Sequence, residues 1–257
     1  MIYLIKQEIF KLFRRKSSFL PIIFLIFIQY LISILNIKKL LHISNENIIQ
    51  QMFAAYGWIV IFCIFIAGNI ISLENQYDTF KTILTQEFSR AEVLISKYII
   101  VFIYMAFLYL IAFFNTLLIN IKYYKINLLN SDNNGVVIIF RILQGIIINA
   151  VSLIFILSVV ILISLLFKNA LISVIVGLMS YFMFSFVSGL LFTIIKRYNW
   201  IKWTPINALN LSNQFNMPNL KLMKYTQLST SQLVIVTIFY TCIILFLTYY
   251  VFRNKDI

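Results

Sequence analysis

Six stretches of this 257-residue chain, at 19–37, 52–73, 98–121, 142–167, 169–195 and 232–252, run for 19 residues or more without one Lys, Arg, Asp or Glu. As helix, such a run rises about 28 Å at ~1.5 Å per residue, close to the ~30 Å of hydrocarbon in a bilayer. Hydrocarbon offers the backbone no hydrogen-bonding partner, so each crossing must satisfy itself as a helix or within a closed barrel. The runs lack the short alternating pattern of barrel strands. The fourth and fifth meet at Lys168, and their combined length of about 54 residues requires two crossings. Only 11% of residues are charged, against about 25% in soluble domains. The expectation is a single all-α, polytopic membrane domain over 1–257 with six transmembrane helices. The first run is too long for the apolar part of a signal peptide and no small-residue cleavage site follows it, so it is expected to remain as the first span.

The net charge of +13 raises the question of nucleic acid. The basic residues stand at the ends of the apolar runs, where anionic headgroups attract them, so the implied partner is the lipid bilayer and not nucleic acid. Lys6, Lys11, Arg14, Arg15 and Lys16 precede the first run against a single acid, Glu8, which puts the N-terminus in the cytoplasm. Six crossings then return the C-terminus to the same side, as in a multi-pass protein of the cell membrane. Across the whole chain the bias is slight, with 11 basic residues in the inner segments and 10 in the outer ones. Cys63 and Cys242 fall in separate spans and read as small apolar side chains. His42 is the only histidine, and no Cys or His group has the spacing of a metal site.

Within residues 2–16, Ile2, Ile5, Ile9, Leu12 and Phe13 share one helical face while Gln7, Lys11 and Arg14 take the other. This pattern predicts an interfacial helix along the inner leaflet, turning into the membrane at Pro21. The longest polar segment, 196–231, is expected outside. It carries Trp200 and Trp203 at headgroup depth, and Ile206, Leu209, Leu211 and Phe215 give it enough apolar surface to dip back into the outer leaflet.

Residues 74–97 form a polar interruption of a different kind. Phe80, Ile83 and Leu84 follow helical spacing with Tyr77 a turn earlier, and Glu74 and Asp78 lie toward the N-terminal end, where a helix favours negative charge. Ser89-Arg90-Ala91-Glu92 is a capping box that restarts a helix. Two readings follow: an inner-leaflet helix that buries Phe80 and Leu84 in lipid, or a helix that docks a cytoplasmic partner. The net charge of the segment is −1, from Lys81, Arg90 and Lys97 against Glu74, Asp78, Glu87 and Glu92, and this favours the partner over anionic lipid.

Polar residues inside the runs seldom face lipid. Gln29, Ser33 and Asn36 make one stripe on the first span, and Asn69, Asn115 and Asn149 are further amides. They either hydrogen-bond between helices or line a substrate path. Ser173 with Gly177, and Ser185 with Gly189, are small-residue pairs suited to close helix packing, within the chain or between subunits. No apolar run holds an Asp or Glu of the kind an ion-coupled carrier uses, and the chain lacks a phosphate loop of the Gx4GK[ST] type. If transport is the task, ATP hydrolysis belongs to another polypeptide. An enzymatic alternative would rest on Cys63 and His42, which this topology puts on opposite sides of a span.

The N-terminal amphipathic helix, the six spans and a first cytoplasmic loop of the form Glu74-x-x-Tyr77-Asp78-Thr79-Phe80-Lys81-x-x-Leu84-Thr85, followed by Ser89-Arg90 and Lys97, resemble the permease subunits of type 2 ABC exporters. Asp78 stands where many relatives have Gly. The resemblance implies that 75–85 is a coupling helix seated in a separate ATPase subunit, with Glu74, Tyr77, Asp78, Thr79, Phe80, Ile83 and Leu84 at the contact. It also implies that 2–16 is an elbow helix and that Trp200 to Phe215 form an outer re-entrant element. Two ATPase copies carrying ATP and Mg, and a second permease, identical or homologous, complete the implied assembly, with no cofactor on this chain. Small size and the Ile, Asn and Lys bias are similar to the bacitracin-resistance and lantibiotic-immunity permeases of low-GC Gram-positive bacteria, which implies an antimicrobial peptide as substrate. A non-transporting sensor or binding subunit beside an ATPase shares all these features.

Overall fold

The computed structural model describes residues 2–14, 16–41, 43–77, 88–131, 135–216 and 222–254. Among these the chain is helical, with no strand beyond one isolated bridge between Ser131 and Val137. Helix α1 spans Ile2–Arg14, α2 Lys16–Ile37, α3 Asn45–Gln50, α4 Ala55–Gln76 and α5 Arg90–Ile119. Then follow α6 at Ile138–Leu166, α7 at Ala170–Ile195, the short α8 at Pro205–Ala208, α9 at Leu211–Asn216, α10 at Met223–Thr226 and finally α11 at Thr230–Arg253. Six of these, α2, α4, α5, α6, α7 and α11, are long and apolar enough to cross a membrane. The polytopic all-α fold is as the charge-free runs require.

The long helices extend beyond those runs where a local signal lengthens them. Helix α5 starts at Arg90 because the Ser89 hydroxyl accepts from the Glu92 N–H while the Glu92 carboxylate accepts from the Ser89 N–H. A second box, Ser229 with Gln232, opens α11. The second span begins later than its apolar run. Met52, Phe53 and Ala54 take left-handed backbone angles with φ of 47, 52 and 59°, a conformation unfavourable for residues with a side chain. They form a turn between α3 and α4. At its other end α4 runs on to Gln76, so residues 75 and 76 belong to the second span.

Helix α6 lies at the centre, packed by α4, α7 and α11, while α2 rests on α5 and α4. Gly68 and Gly177 bring α4, α6 and α7 together. A Cβ at Gly68 would lie 2.9 Å from Val174 Cγ2 and 3.1 Å from its Cα, and one at Gly177 would lie 3.1 Å from Val160. Ser173 and Gly177 therefore serve packing within the chain, whereas Gly189 has nothing within 4 Å.

Between α2 and α5 lies a polar lock. Gln29 is fully buried, and its amide donates to the Met52 carbonyl at 3.0 Å, the Ala112 carbonyl at 3.1 Å and Thr116 Oγ1 at 3.2 Å. Its oxygen accepts from Asn115 at 2.7 Å. The Met52 contact ties the left-handed turn to α2. Asn36 donates to Asn45 Oδ1 at 3.1 Å, and the Tyr124 hydroxyl donates to the Ser33 carbonyl at 3.1 Å.

Candidate functional site

Helix α1 does not present a purely apolar face to the bundle. Among its described side chains the buried ones are Leu4, Glu8 and Leu12, one turn apart, whereas Ile5 and Ile9 are only half-buried. The stripe that meets the protein thus carries a carboxylate at its middle, and the isoleucines lie to one side. Glu8 is 4% exposed, a position that requires a charge partner.

The partner comes from α5. Lys97, 1% exposed, places its ammonium 2.9 Å from Glu8 Oε2 and also binds Glu74 Oε1 at the end of α4. Lys11 completes the group, 2.7 Å from Glu8 Oε1 and 3.6 Å from Glu74 Oε1. Among the described residues, two carboxylates and two ammoniums from three helices come together here. Burial pushes the Glu8 carboxyl up, but the Lys97 charge and the hydrogen bonds from Lys11 and Lys97 outweigh it and hold the group below its ordinary value. Burial likewise depresses Lys11, and its hydrogen bond to Glu8 with the charges of Glu8 and Glu74 raises it above its ordinary value.

Beside the cluster lies a cavity of about 230 Å³ between α1, the start of α2 and the last turns of α4. Glu8, Lys11, Ser18, Asn69 and Glu74 make its polar wall, and Phe65, Ile66 and Leu73 its apolar one. The cavity is polar and roomy enough to hold water. The Tyr104 hydroxyl donates to the Ser18 carbonyl at 3.1 Å and pins the start of α2 to α5.

The cluster sits at the root of the 74–97 interruption. On the incoming side, Glu74 is in the cluster and Gln76 Oε1 accepts from the Ala170 N–H at 3.4 Å. On the outgoing side, Arg90 donates to the carbonyls of Phe252 and Arg253 at 3.3 and 2.6 Å, placing a cation at the C-terminal end of α11. Lys97 lies two turns further on. The two stems of the loop are therefore fastened, the incoming one to α1 and α7 and the outgoing one to α1 and α11.

Of the expected coupling residues, Glu74 lies in this junction and Tyr77 ends α4, largely exposed. Asp78, Thr79, Phe80, Ile83 and Leu84 lie outside the described residues, as does His42. The six polar residues considered for a substrate path separate into groups. Gln29 and Asn115 are in the α2–α5 lock, Asn36 joins α2 to Asn45 of α3, and Ser33 is buried and offers its backbone carbonyl to Tyr124. Asn69 lines the cavity at the junction. Asn149 exchanges hydrogen bonds with Asn216, 3.2 and 3.1 Å, across α6 and α9. Sequence reasoning missed the role of Glu8. The signal was present, since Leu4, Glu8 and Leu12 recur at i, i+4 and i+8, but the isoleucine stripe beside them is longer and more apolar.

Residues 4–185 match the family described as ABC-2 family transporter protein. The match takes in α1, the cluster, both stems of the loop and the first half of α7. Comparison with curated proteins gave no match.

Proposed function

Because the chain belongs to the ABC-2 transporter family, and is thus a permease subunit that works with an ABC ATPase, we propose that it is an exporter moving an amphipathic or lipophilic substrate out of the membrane. The charged junction carries this reading. It joins α1 to both stems of the loop that would meet the ATPase, so that loop, α1 and the two spans move as one piece. Two ATPase subunits, with ATP and Mg, would close on nucleotide and push the 75–85 segments of two permeases, this chain and an identical or homologous one. Taking a two-state bundle from 1:99 to 99:1 requires about 5.5 kcal/mol of differential binding, and closure supplies it. The N- and C-termini are then cytoplasmic. An antimicrobial peptide of the bacitracin or lantibiotic type is the proposed substrate, on the resemblance of size and composition.

The test pairs Phe80→Ala with Leu84→Ala in membranes that also hold the ATPase. The variant keeps its fold and loses substrate-stimulated hydrolysis and transport. Transport at the original rate would overturn the assignment of 75–85, and an ATPase that responds to substrate without net transport would favour the sensor.

A further inference from the structure

The face of the bundle opposite α1 carries a charge pattern that orientation does not explain. Residues 196–231 hold five Lys or Arg and no Asp or Glu. Lys196, Arg197, Lys202 and Lys224 stand at the end of α7 and on the short helices packed against it, a turn at Asn199–Trp203 and α10. Three of them lie over aromatic rings: Lys196 is 5.6 Å from the Tyr225 centroid, Arg197 5.5 Å from Tyr198 and Lys202 5.9 Å from Trp203. Rings with cations above them, beside the exposed Trp200, mark headgroup depth. This end lies across the membrane from the junction. Helix α7 starts beside Gln76, and its 26 residues carry the chain about 39 Å at ~1.5 Å each.

Deeper along the same helix is an apolar groove of about 170 Å³. Helices α7 and α11 both pack on α6, and α8 is wedged between them at the end nearer the cations. The groove below the wedge is walled by Phe155, Val159, Tyr181, Phe184, Ile206 and Ile244. On the other side of Tyr181 and Leu209 is a small cup of about 50 Å³ lined by uncharged amides and hydroxyls, Asn149, Ser152, Ser185 and Asn213 among them. Read along α7, the groove touches Ser180, Tyr181 and Phe184, a mostly apolar stretch follows, and the cations begin at Lys196. From Phe184 to Lys196 is about 18 Å of helix, close to the ~15 Å of one leaflet's hydrocarbon.

That separation fits a phospholipid whose headgroup meets the cations and whose tail reaches the groove, and we infer that this face binds one anionic phospholipid, with its phosphate at Lys196, Lys202 and Lys224 and the end of a tail in the groove between α7 and α11. Charge complementarity selects the anionic class, since a zwitterionic headgroup would bring its own cation to a surface that has no acid to receive it. The inference requires nothing of what the permease transports.

The test uses the full chain in nanodiscs with Trp58, Trp200 and Trp203 each replaced by Phe and Phe184→Trp added, so that one indole reports from the wall of the groove. Tail-brominated phosphatidylglycerol, diluted in unlabelled lipid, half-quenches its fluorescence at a mole fraction on the order of 100-fold lower than tail-brominated phosphatidylcholine, as three cations worth ~1 kcal/mol each imply. In Lys196→Gln/Lys202→Gln/Lys224→Gln the two lipids quench alike. Ser180→Phe, which fills the groove, lowers quenching by phosphatidylglycerol severalfold while the lysines keep some headgroup preference. Equal quenching by both lipids in the unaltered groove, a preference that survives the triple substitution, or no effect of Ser180→Phe would overturn the inference. So would a disulfide between Phe184→Cys of two copies in a Cys242→Ser background, since a second copy would then occupy the groove.

Discussion

Replacing Lys97 by Met leaves the packing volume nearly unchanged and removes the more deeply buried of the two cations that touch both carboxylates. Glu8 then keeps only Lys11, whose side chain is 45% exposed, and Glu74 keeps Lys11 at 3.6 Å. Breaking a buried ion pair by deleting one partner costs about 3–5 kcal/mol, because the other charge stays buried and uncompensated. The partly wet Lys11 and the adjoining cavity place this site at the lower end, about 3 kcal/mol. Adding Glu8→Gln removes the carboxylate that Lys97→Met leaves with one partly exposed cation. The double variant is accordingly more stable than Lys97→Met alone, by about 1–2 kcal/mol, a non-additivity expected of contacting charges. Equilibrium unfolding in mixed micelles reads the free energies, and a Cys label at Tyr3 reads release of α1. A loss below about 1 kcal/mol in Lys97→Met, or strictly additive single and double variants, would show that the cluster neither fastens α1 nor couples its charges.

Three further outcomes follow from named contacts. Docking of α1 depends on pH in both directions. The depressed Glu8 value contributes stability above its ordinary 4.5 that is lost as pH falls through the lower folded value, and the raised Lys11 value contributes stability below its ordinary 10.5 that is lost as pH rises through the higher one. Hydrogen exchange of α1 amides should show protection falling at both limits, and Glu8→Gln should abolish the acid limb; an unchanged acid limb in that variant refutes the assignment. Gly68→Ala should destabilise the bundle by about 1–3 kcal/mol, because its Cβ meets Val174 backbone, while Gly57→Ala, with nothing within 4 Å, should be neutral or slightly stabilising; thermal unfolding of the pair decides it. Gln29→Leu deletes the donors to Met52, Ala112 and Thr116 and should lose about 1–3 kcal/mol, accompanied by faster proteolysis near the left-handed turn at 52–54; retained protection there would show that the turn stands without α2.

Much of this molecule was legible in the chain before any coordinates. Long charge-free runs admit one solution in hydrocarbon, so the all-α class and six crossings follow from backbone hydrogen bonding alone. The Ser89 and Glu92 pair announced the start of α5 for an equally local reason, since a cap is made by residues three apart. Periodicity showed the apolar stripe of α1 but not that Leu4, Glu8 and Leu12 are positions buried against the bundle. A side chain at i, i+4 from two leucines is a core position in a bundle whatever its charge, provided a partner arrives from elsewhere.

Local chemistry therefore determined which segments are helices, how many cross the bilayer and where their ends are capped. Only the tertiary structure decided that Glu8, Lys11, Glu74 and Lys97, up to 89 positions apart in the chain, share one buried cluster, that Gln29 holds the left-handed turn between α3 and α4, and that α8 opens a groove between α7 and α11. The reason is physical. Backbone hydrogen bonds in a membrane helix close within the segment, whereas a buried charge or amide must find its complement across space, and nothing in its own neighbourhood specifies which helix will bring it.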